Sequence, residues 1–195
     1  MNSIRHISLF ALALICIGIM LLPQHIRESL YLNIEDFKQG QYWRFFSAHL
    51  THYSWIHCLS NIVGLLLLIG IFNNSKRNFH WLVAALVTAM AISSGLSLFS
   101  AKLDWYVGFS GVLTGLYAYA SIKTFNENTS LSIFILIALS GYVAIQVFQG
   151  ELIDSMLIKD LNTSSHAHAY GLISGILYAM IEQYYLIISK DRIKQ

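Results

Sequence analysis

Residues 107–115 read VGFSGVLTG, and the serine in this stretch lies where a polar connection becomes an apolar helix. The apolar run from Ser110 ends near Lys123, so a helix over it rises only about 20 Å. Because the hydrocarbon core of a bilayer is about 30 Å thick, Ser110 would stop about 10 Å short of one face if Lys123 marks the other. A nucleophilic side chain would then lie inside the bilayer at a helix N-terminus, where free N–H groups favour an anion. The same residues also fit an ordinary serine N-cap between packing glycines.

The composition is that of a membrane protein that crosses the bilayer several times. Of 195 residues, 56% are hydrophobic and only 11% are charged, with a mean hydropathy of +0.58. Soluble domains carry about 25% charged residues. We expect one transmembrane domain over residues 1–195, with Arg5 preceding a first helix that is retained rather than cleaved as a signal peptide. The small, scattered net charge of +2 argues against a nucleic-acid partner, and two cysteines inside apolar segments, Cys16 and Cys58, argue against a disulfide framework.

Six apolar segments predict six transmembrane helices, at about residues 7–23, 54–72, 79–99, 109–124, 130–148 and 167–189. The short connections on one side hold seven basic residues: Arg5, Lys76, Arg77, Lys123, Lys190, Arg192 and Lys194. The longer connections on the other side hold five: Arg27, Lys38, Arg44, Lys102 and Lys159. The positive-inside rule therefore predicts that both termini are cytoplasmic and that the second, fourth and sixth helices begin near the outer face.

The long connection 24–53 is too aromatic for a solvated linker. Its rings favour a segment that lies in the membrane interface like an amphipathic hairpin, or a plain aromatic belt: Tyr31, Phe37, Tyr42, Trp43, Phe45 and Phe46. We expect Arg44, beside Trp43, to tie this loop to the interface. Glu182, on the last helix, is expected near the cytoplasmic face.

Two groups of polar residues stand at the outer helix ends. His57 and Asn61 are four residues apart and therefore share one face of the second helix. Polar residues inside an apolar span indicate function by default, although a hydrogen-bonded pair between helices is the alternative. His168 stands three residues before Gly171 on the sixth helix.

Small residues four apart predict that the fourth and sixth helices pack closely. Gly111 and Gly115 follow Ser110, and Gly171 and Gly175 follow His168. Such pairs let helix backbones approach in a membrane, which would bring Ser110 to His168 as nucleophile and base.

Together these residues supply the parts of acyl transfer. Ser110 would attack a carbonyl, and His168 would take its proton and later give it to the leaving amine. The Ser110 backbone N–H, His57 and Asn61 could bind the oxyanion. Since no acidic residue in the membrane segments stands near His168, we expect a Ser–His dyad without metal or cofactor.

The sequence resembles the rhomboid family of intramembrane serine proteases. The matching residues occur in the family's order: Trp43-Arg44, His52, His57, Asn61, Gly108-Phe109-Ser110-Gly111 and Ala167-His168-Ala169-Tyr170-Gly171 with Gly175. The resemblance implies a six-helix bundle whose site opens outward through a water-filled cavity. It implies Ser110 as nucleophile, His168 as base, and His57 and Asn61 as oxyanion donors. The implied partners are transmembrane protein substrates within the lipid bilayer.

The compact length is similar to the rhombosortase branch, which acts on bacterial exported proteins carrying a Gly-Gly motif before a C-terminal membrane helix. That similarity implies a bacterial inner membrane, with the site on the periplasmic or extracellular side. One residue departs from the family pattern. Many rhomboids place a tyrosine one turn after the serine, against the catalytic histidine, but this chain has Thr114. We expect Tyr170 or a tyrosine of the fourth helix to orient His168 instead.

Other functions remain open from the residues alone. Five histidines could converge outside to bind or transport a metal, although no carboxylate or thiolate completes the set: His49, His52, His57, His166 and His168. A catalytically inactive rhomboid that binds membrane helices is disfavoured because the serine and histidine are both present. A small-solute carrier is disfavoured because the sequence shows no repeats.

Overall fold

The computed structural model describes residues 6–76, 79–99, 105–153 and 163–193, with side chains for all but residues 149–153, 163–165 and 190–193. Much of the charge asymmetry that predicts the membrane orientation lies outside the described side chains: Arg5, Arg77, Lys102, Lys159, Lys190, Arg192 and Lys194. The orientation therefore stays a prediction.

The described part of the chain is helical, which confirms the predicted all-α class. Its extended pairing is limited, over the same ranges, to an isolated bridge between Leu32 and Tyr106. The helices are α1 (Ile7–Met20), α2 (Gln24–Glu28), α3 (Ile34–Lys38), α4 (Arg44–Leu50), α5 (Trp55–Phe72), α6 (Trp81–Phe99), α7 (Ser110–Lys123), α8 (Thr129–Ile153) and α9 (Thr163–Ile193).

Six of these helices correspond to the six apolar segments. Within the described ranges, four are long and apolar enough to cross a membrane: α5, α6, α8 over Thr129–Phe148, and α9 over His166–Ser189. Helix α1 is apolar but shorter, and α7 has 14 residues and rises only about 20 Å. Apolar side chains face outward, as suits contact with lipid: Leu14, Leu67, Phe134 and Tyr185.

The helix ends differ from the predicted segments in two ways. Helix α1 ends at Met20 rather than near residue 23, because Pro23 disfavours helical geometry in the residue before it and begins α2 as its N-cap. Helices α8 and α9 extend beyond their apolar runs, and the added turns contain polar residues.

The connection 24–53 forms three short helices rather than a hairpin, and Arg44 holds them together. The Arg44 guanidinium donates to the carbonyls of Glu28 (3.1 Å) and Tyr31 (2.7 Å) and pairs with Asp36 at 3.0 Å. Arg44 is only 6% exposed. The expectation that Arg44 ties the loop to the membrane interface is therefore wrong, because its donors are used by backbone carbonyls and side chains of the loop itself.

Helix α7 is the central element of the bundle. Eleven of its 14 residues are buried, and it packs against α5, α6, α8 and α9. Its small and apolar residues allow neighbours on every side, so the helix can begin and end inside the bundle rather than at its surface. Ser110 is thus presented from the interior of the fold.

The end of α7 opposite Ser110 is held by a buried polar network. Glu182 of α9 accepts from Lys123 Nζ at 2.6 Å and from the Tyr119 hydroxyl at 2.9 Å, and it also contacts His80 Nδ1. Lys123 is 4% exposed, so its ammonium depends on this carboxylate for compensation.

Glu182→Gln is expected to destabilise the protein by about 1.5–3 kcal/mol, because it keeps the shape of the side chain but removes the charge facing Lys123. Thermal unfolding in detergent measures the effect. The matched control is Glu35→Gln, whose carboxylate forms a solvent-exposed pair with Lys38 and should matter by less than about 1 kcal/mol. Equal melting of the two variants would contradict a structural role for the network.

Candidate active site

Ser110 is the first residue of α7 and is presented by a glycine turn. Gly108 has a φ of +125°, a conformation that side chains disfavour. Its N–H donates to the carbonyl of Ala48 at 2.9 Å, and its carbonyl accepts from the Tyr106 hydroxyl at 3.0 Å. The turn is therefore fixed on both sides, and the first N–H groups of α7 lie directly after it without intrahelical partners.

The absence of a side chain at Gly108 also makes room for His57. A Cβ at this position would lie 2.7 Å from His57 Cε1 and 3.0 Å from Nε2. The imidazole of α5 thus covers the turn that presents Ser110. The predicted oxyanion histidine therefore packs on a residue two positions before the predicted nucleophile.

Helices α7 and α9 pack backbone to backbone through the four glycines, as their spacing predicts. A Cβ on Gly171 would lie 2.1 Å from the carbonyl oxygen of Gly111, and one on Gly175 would lie 2.1 Å from that of Gly115. A Cβ on Gly111 would in turn lie 3.0 Å from the carbonyl oxygen of Ala167.

This packing brings the immediate neighbours of Ser110 and His168 together. Ser110 directly precedes Gly111, and His168 directly follows Ala167, so the contact between Gly111 and Ala167 joins their immediate neighbours. His168 is 3% exposed, and Ser110 is half-buried. The structure therefore holds a serine hydroxyl and an imidazole at one end of two closely packed helices.

His57 and Asn61 lie one turn apart on α5 with polar atoms left free. Asn61 is 6% exposed, and its Nδ2 has no hydrogen-bond partner among the described residues. The same holds for Nδ1 of His57. Within the described ranges, these atoms therefore do not form the hydrogen-bonded pair between helices that is the alternative to a functional role.

His52 packs against His57 from the connection before α5. The two ring centroids are 4.9 Å apart at an interplanar angle of 82°, and Tyr53 contacts His57 with centroids 4.8 Å apart. His52 is fully buried, and burial, with His57 beside it, lowers the pKa of His52 to about 3. His52 is thus neutral at physiological pH and supports the His57 ring by packing.

Comparisons with known proteins show the family of the chain. A family model described as the Rhomboid domain matches residues 39–185, which include all the site residues above. The chain belongs to the rhomboid family. The Rhomboid protease GlpG of Pectobacterium atrosepticum is 30% identical over 155 residues, which cover 75% of this chain and 51% of that protein. This rhomboid therefore spans about half the length of that relative.

The orientation of His168 in this rhomboid differs from the prediction. Tyr170 packs against α6, where a Cβ on Gly95 would lie 2.8 Å from its ring. The hydroxyls of Tyr117 and Tyr119 donate to the Gly64 carbonyl and to Glu182. Thr114 donates its hydroxyl to the Ser110 carbonyl at 2.9 Å. The expectation that Tyr170 or a tyrosine of α7 orients the histidine is wrong, because these side chains are engaged elsewhere.

Two side chains of α8 contact His168 instead. Gln146 Oε1 lies 2.5 Å from His168 Nδ1, and the Tyr142 ring lies 5.5 Å from the imidazole, centroid to centroid. The sequence analysis missed both residues. A glutamine inside the apolar run 130–148 is itself the signal that could have found the first, since lone polar groups in membrane spans seek partners.

The histidines of this rhomboid do not form the convergent cluster that a metal would need. His49 lies apart, with Nε2 at 2.9 Å from the Ser93 hydroxyl, and burial lowers its pKa to about 4. His166 is exposed. Over the described ranges, no group of three histidine, cysteine or acidic residues is placed to hold a metal ion.

Proposed function

We propose that this rhomboid is an intramembrane serine endopeptidase that cleaves a peptide bond in or next to a transmembrane segment of membrane-anchored proteins. The observation that carries the proposal is the glycine packing of α7 and α9, which supports a pairing of Ser110 with His168 at the start of a helix too short to span the bilayer. A serine activated at this depth can meet a peptide bond that soluble proteases do not reach.

The first half of the reaction forms an acyl-enzyme. Ser110 Oγ attacks the carbonyl carbon of the scissile bond while its proton passes to Nε2 of His168. The tetrahedral intermediate collapses when the C–N bond breaks, and His168 gives the same proton to the leaving amine. In the second half, a water loses a proton to His168 and attacks the Ser110 ester, which releases the acid and restores the hydroxyl.

The charge on the tetrahedral oxygen requires donors that are in place beforehand. The Ser110 N–H at the start of α7, Nδ2 of Asn61 and the His57 ring are the groups that we assign to it. The lack of a partner for Asn61 Nδ2 within the described part of the chain supports this role, as does the position of His57 over the Gly108 turn. Preorganised donors stabilise the transition state by more than they stabilise bound substrate.

Cleavage by purified protein in liposomes tests the proposed activity. The substrate is a tagged single-span protein, and mass spectrometry of the products locates the cut. We expect one cut within or beside the hydrophobic segment. Cleavage of an unfolded soluble protein at a comparable rate would contradict an intramembrane specificity.

The narrower proposal is that this rhomboid processes Gly-Gly sorting signals of bacterial exported proteins. The support is the resemblance to the rhombosortase branch. Two versions of the liposome substrate test it, one with a Gly-Gly pair before the membrane helix and one with Ala-Ala. We expect the first to be cleaved at least about tenfold faster, which corresponds to about 1.4 kcal/mol. Equal rates would contradict the Gly-Gly preference and indicate the specificity of an ordinary rhomboid.

We also propose an inner-membrane location with both termini in the cytoplasm and the Ser110 end facing outward. The count of basic residues supports it, and the Lys123 end of α7 would then be the cytoplasmic one. Reporter fusions that are active only in the cytoplasm or only outside it test the orientation of each connection. A C-terminal reporter that is active only outside the cytoplasm would overturn the proposed orientation.

Asn61→Ala is expected to lower kcat about 100-fold and to leave KM within about twofold, because the amide acts on charge that exists only in the transition state. Steady-state cleavage of the liposome substrate provides both constants. Asn74→Ala is the matched control, since that asparagine is exposed and follows the far end of the same helix. An effect confined to KM would remove Asn61 from the oxyanion site.

A further inference from the structure

An amide from α8 contacts the imidazole of His168 at Nδ1. Gln146 Oε1 lies 2.5 Å from His168 Nδ1, within hydrogen-bond distance. The amide nitrogen of Gln146 donates to the Tyr142 hydroxyl at 2.8 Å, one turn earlier on the same helix. The three side chains therefore form a chain that runs from α8 to the imidazole of α9.

The direction of these hydrogen bonds fixes the protonation of the ring. A carbonyl oxygen can only accept, so the hydrogen on this bond belongs to Nδ1 of His168. Nε2 then carries the lone pair, which is the form needed to take the proton of Ser110. If Nε2 of Gln146 faced the ring instead, Nδ1 would have to accept, and the ring proton would lie on the nitrogen that must act as base. The orientation of the amide thus selects between an active and an inactive tautomer.

The bond from Gln146 to Tyr142 anchors the amide on the side away from the imidazole. It uses the amide nitrogen away from the imidazole and leaves the carbonyl toward Nδ1. The Tyr142 ring also contacts His168, with centroids 5.5 Å apart, and so limits the tilt of the imidazole.

An amide suits this place better than a carboxylate does. Gln146 is partly buried and lies within the apolar span of α8, Thr129–Phe148, where a charged side chain is costly. Among the ion pairs of the described residues, none involves His168. A neutral acceptor orients the ring without a charge that must be compensated.

We propose that Gln146, anchored by Tyr142, is the positioning residue of His168, so that a Ser–His–Gln set replaces a simple dyad. The inference rests on the proposed protease function. It assigns to α8 the task that a tyrosine after the serine performs in many rhomboids, and that Thr114 does not perform here.

Steady-state cleavage of the liposome substrate by three glutamine variants tests this inference. Gln146→Met keeps the length of the side chain but loses the acceptor, and we expect kcat to fall about 100-fold while KM stays within about twofold. Gln146→Glu keeps the side-chain length and an acceptor oxygen, and it should return kcat to within about tenfold of the wild type. Gln146→Asn keeps the amide but cannot reach the ring, so it should behave like Gln146→Met. Tyr142→Phe should lower kcat several-fold.

The control is Gln183→Met on α9, which removes a glutamine that donates to the Ile122 carbonyl at 3.0 Å, at the other end of the bundle. Its kcat should equal that of the wild type. A structural role for Gln146 would instead lower the melting temperature and the yield of active protein in all three variants, without rescue by Gln146→Glu.

The outcomes separate this inference from the proposed function. Wild-type cleavage that needs Ser110 and His168 but is unchanged in Gln146→Met and Gln146→Asn would overturn the positioning role and leave the protease intact. If the wild type shows no cleavage dependent on Ser110, the proposed function itself fails. Loss in the methionine and asparagine variants with rescue by glutamate supports the Ser–His–Gln set.

Discussion

Ser110→Ala and His168→Ala are each expected to reduce cleavage by about 10⁴-fold to 10⁶-fold, which places both below detection in most assays. The first removes the only atom that attacks the carbonyl in the proposed mechanism, and the second removes the acceptor of its proton. Because the two act as one unit, the double variant should be no slower than either single variant.

Two exposed residues provide matched controls for these variants. His166→Ala removes an exposed imidazole two residues from His168, and Ser60→Ala removes an exposed hydroxyl that donates to the Ile56 carbonyl on α5. Both should cleave at the wild-type rate. Preserved turnover in Ser110→Ala or His168→Ala, with melting temperatures like that of the wild type, would exclude the Ser–His mechanism.

Gly171→Ala is expected to destabilise this bundle strongly. The new Cβ would lie 2.1 Å from the Gly111 carbonyl oxygen, which belongs to a backbone that no side-chain rotation can move away. Helices α7 and α9 must separate, at a cost of about 3 kcal/mol or more for an overpacked site. Valine at the same position should prevent folding.

The same substitution should also slow the reaction. Separation of α7 and α9 displaces His168 from Ser110, and a misplacement of about 1 Å can cost about 100-fold in rate. Thermal unfolding in detergent and cleavage of the liposome substrate measure the two effects separately.

Gly141→Ala is the control, since its added Cβ would meet no other heavy atom of the described chain within 4 Å. There the loss of backbone freedom in the unfolded state should make the variant neutral or more stable by up to about 1 kcal/mol. If Gly171→Ala and Gly141→Ala melt alike, the close packing of α7 on α9 is contradicted.

The part of the fold that depends on regular residue spacing could be predicted from the sequence. Glycines four apart on each of two membrane helices favour close backbone contact, and Gly111, Gly115, Gly171 and Gly175 are found in that contact. The short apolar run from Ser110 to Lys123 likewise forms α7, which begins and ends at those residues. Both features are local in the chain, so they can be seen before the fold is known.

The parts that depend on how helices rotate against one another could not be predicted in this way. Gln146 meets His168 because α8 turns one of its few polar side chains toward α9, and no motif in the sequence joins positions 22 residues apart. Arg44 was expected to tie the loop to the membrane interface, whereas in the fold of 24–53 it donates to carbonyl oxygens of the loop. In both cases the partner is set by tertiary packing and not by residue type.

The most direct test of the central claim is labelling of the membrane-embedded protein with a serine-reactive fluorophosphonate, followed by peptide mapping of the adduct. An activated hydroxyl forms a covalent bond to the probe's phosphorus with loss of fluoride, whereas an ordinary serine does not react. The account predicts one adduct on Ser110 in the wild type and none in Ser110→Ala or His168→Ala. An adduct on another residue, or equal labelling of all three proteins, would contradict it.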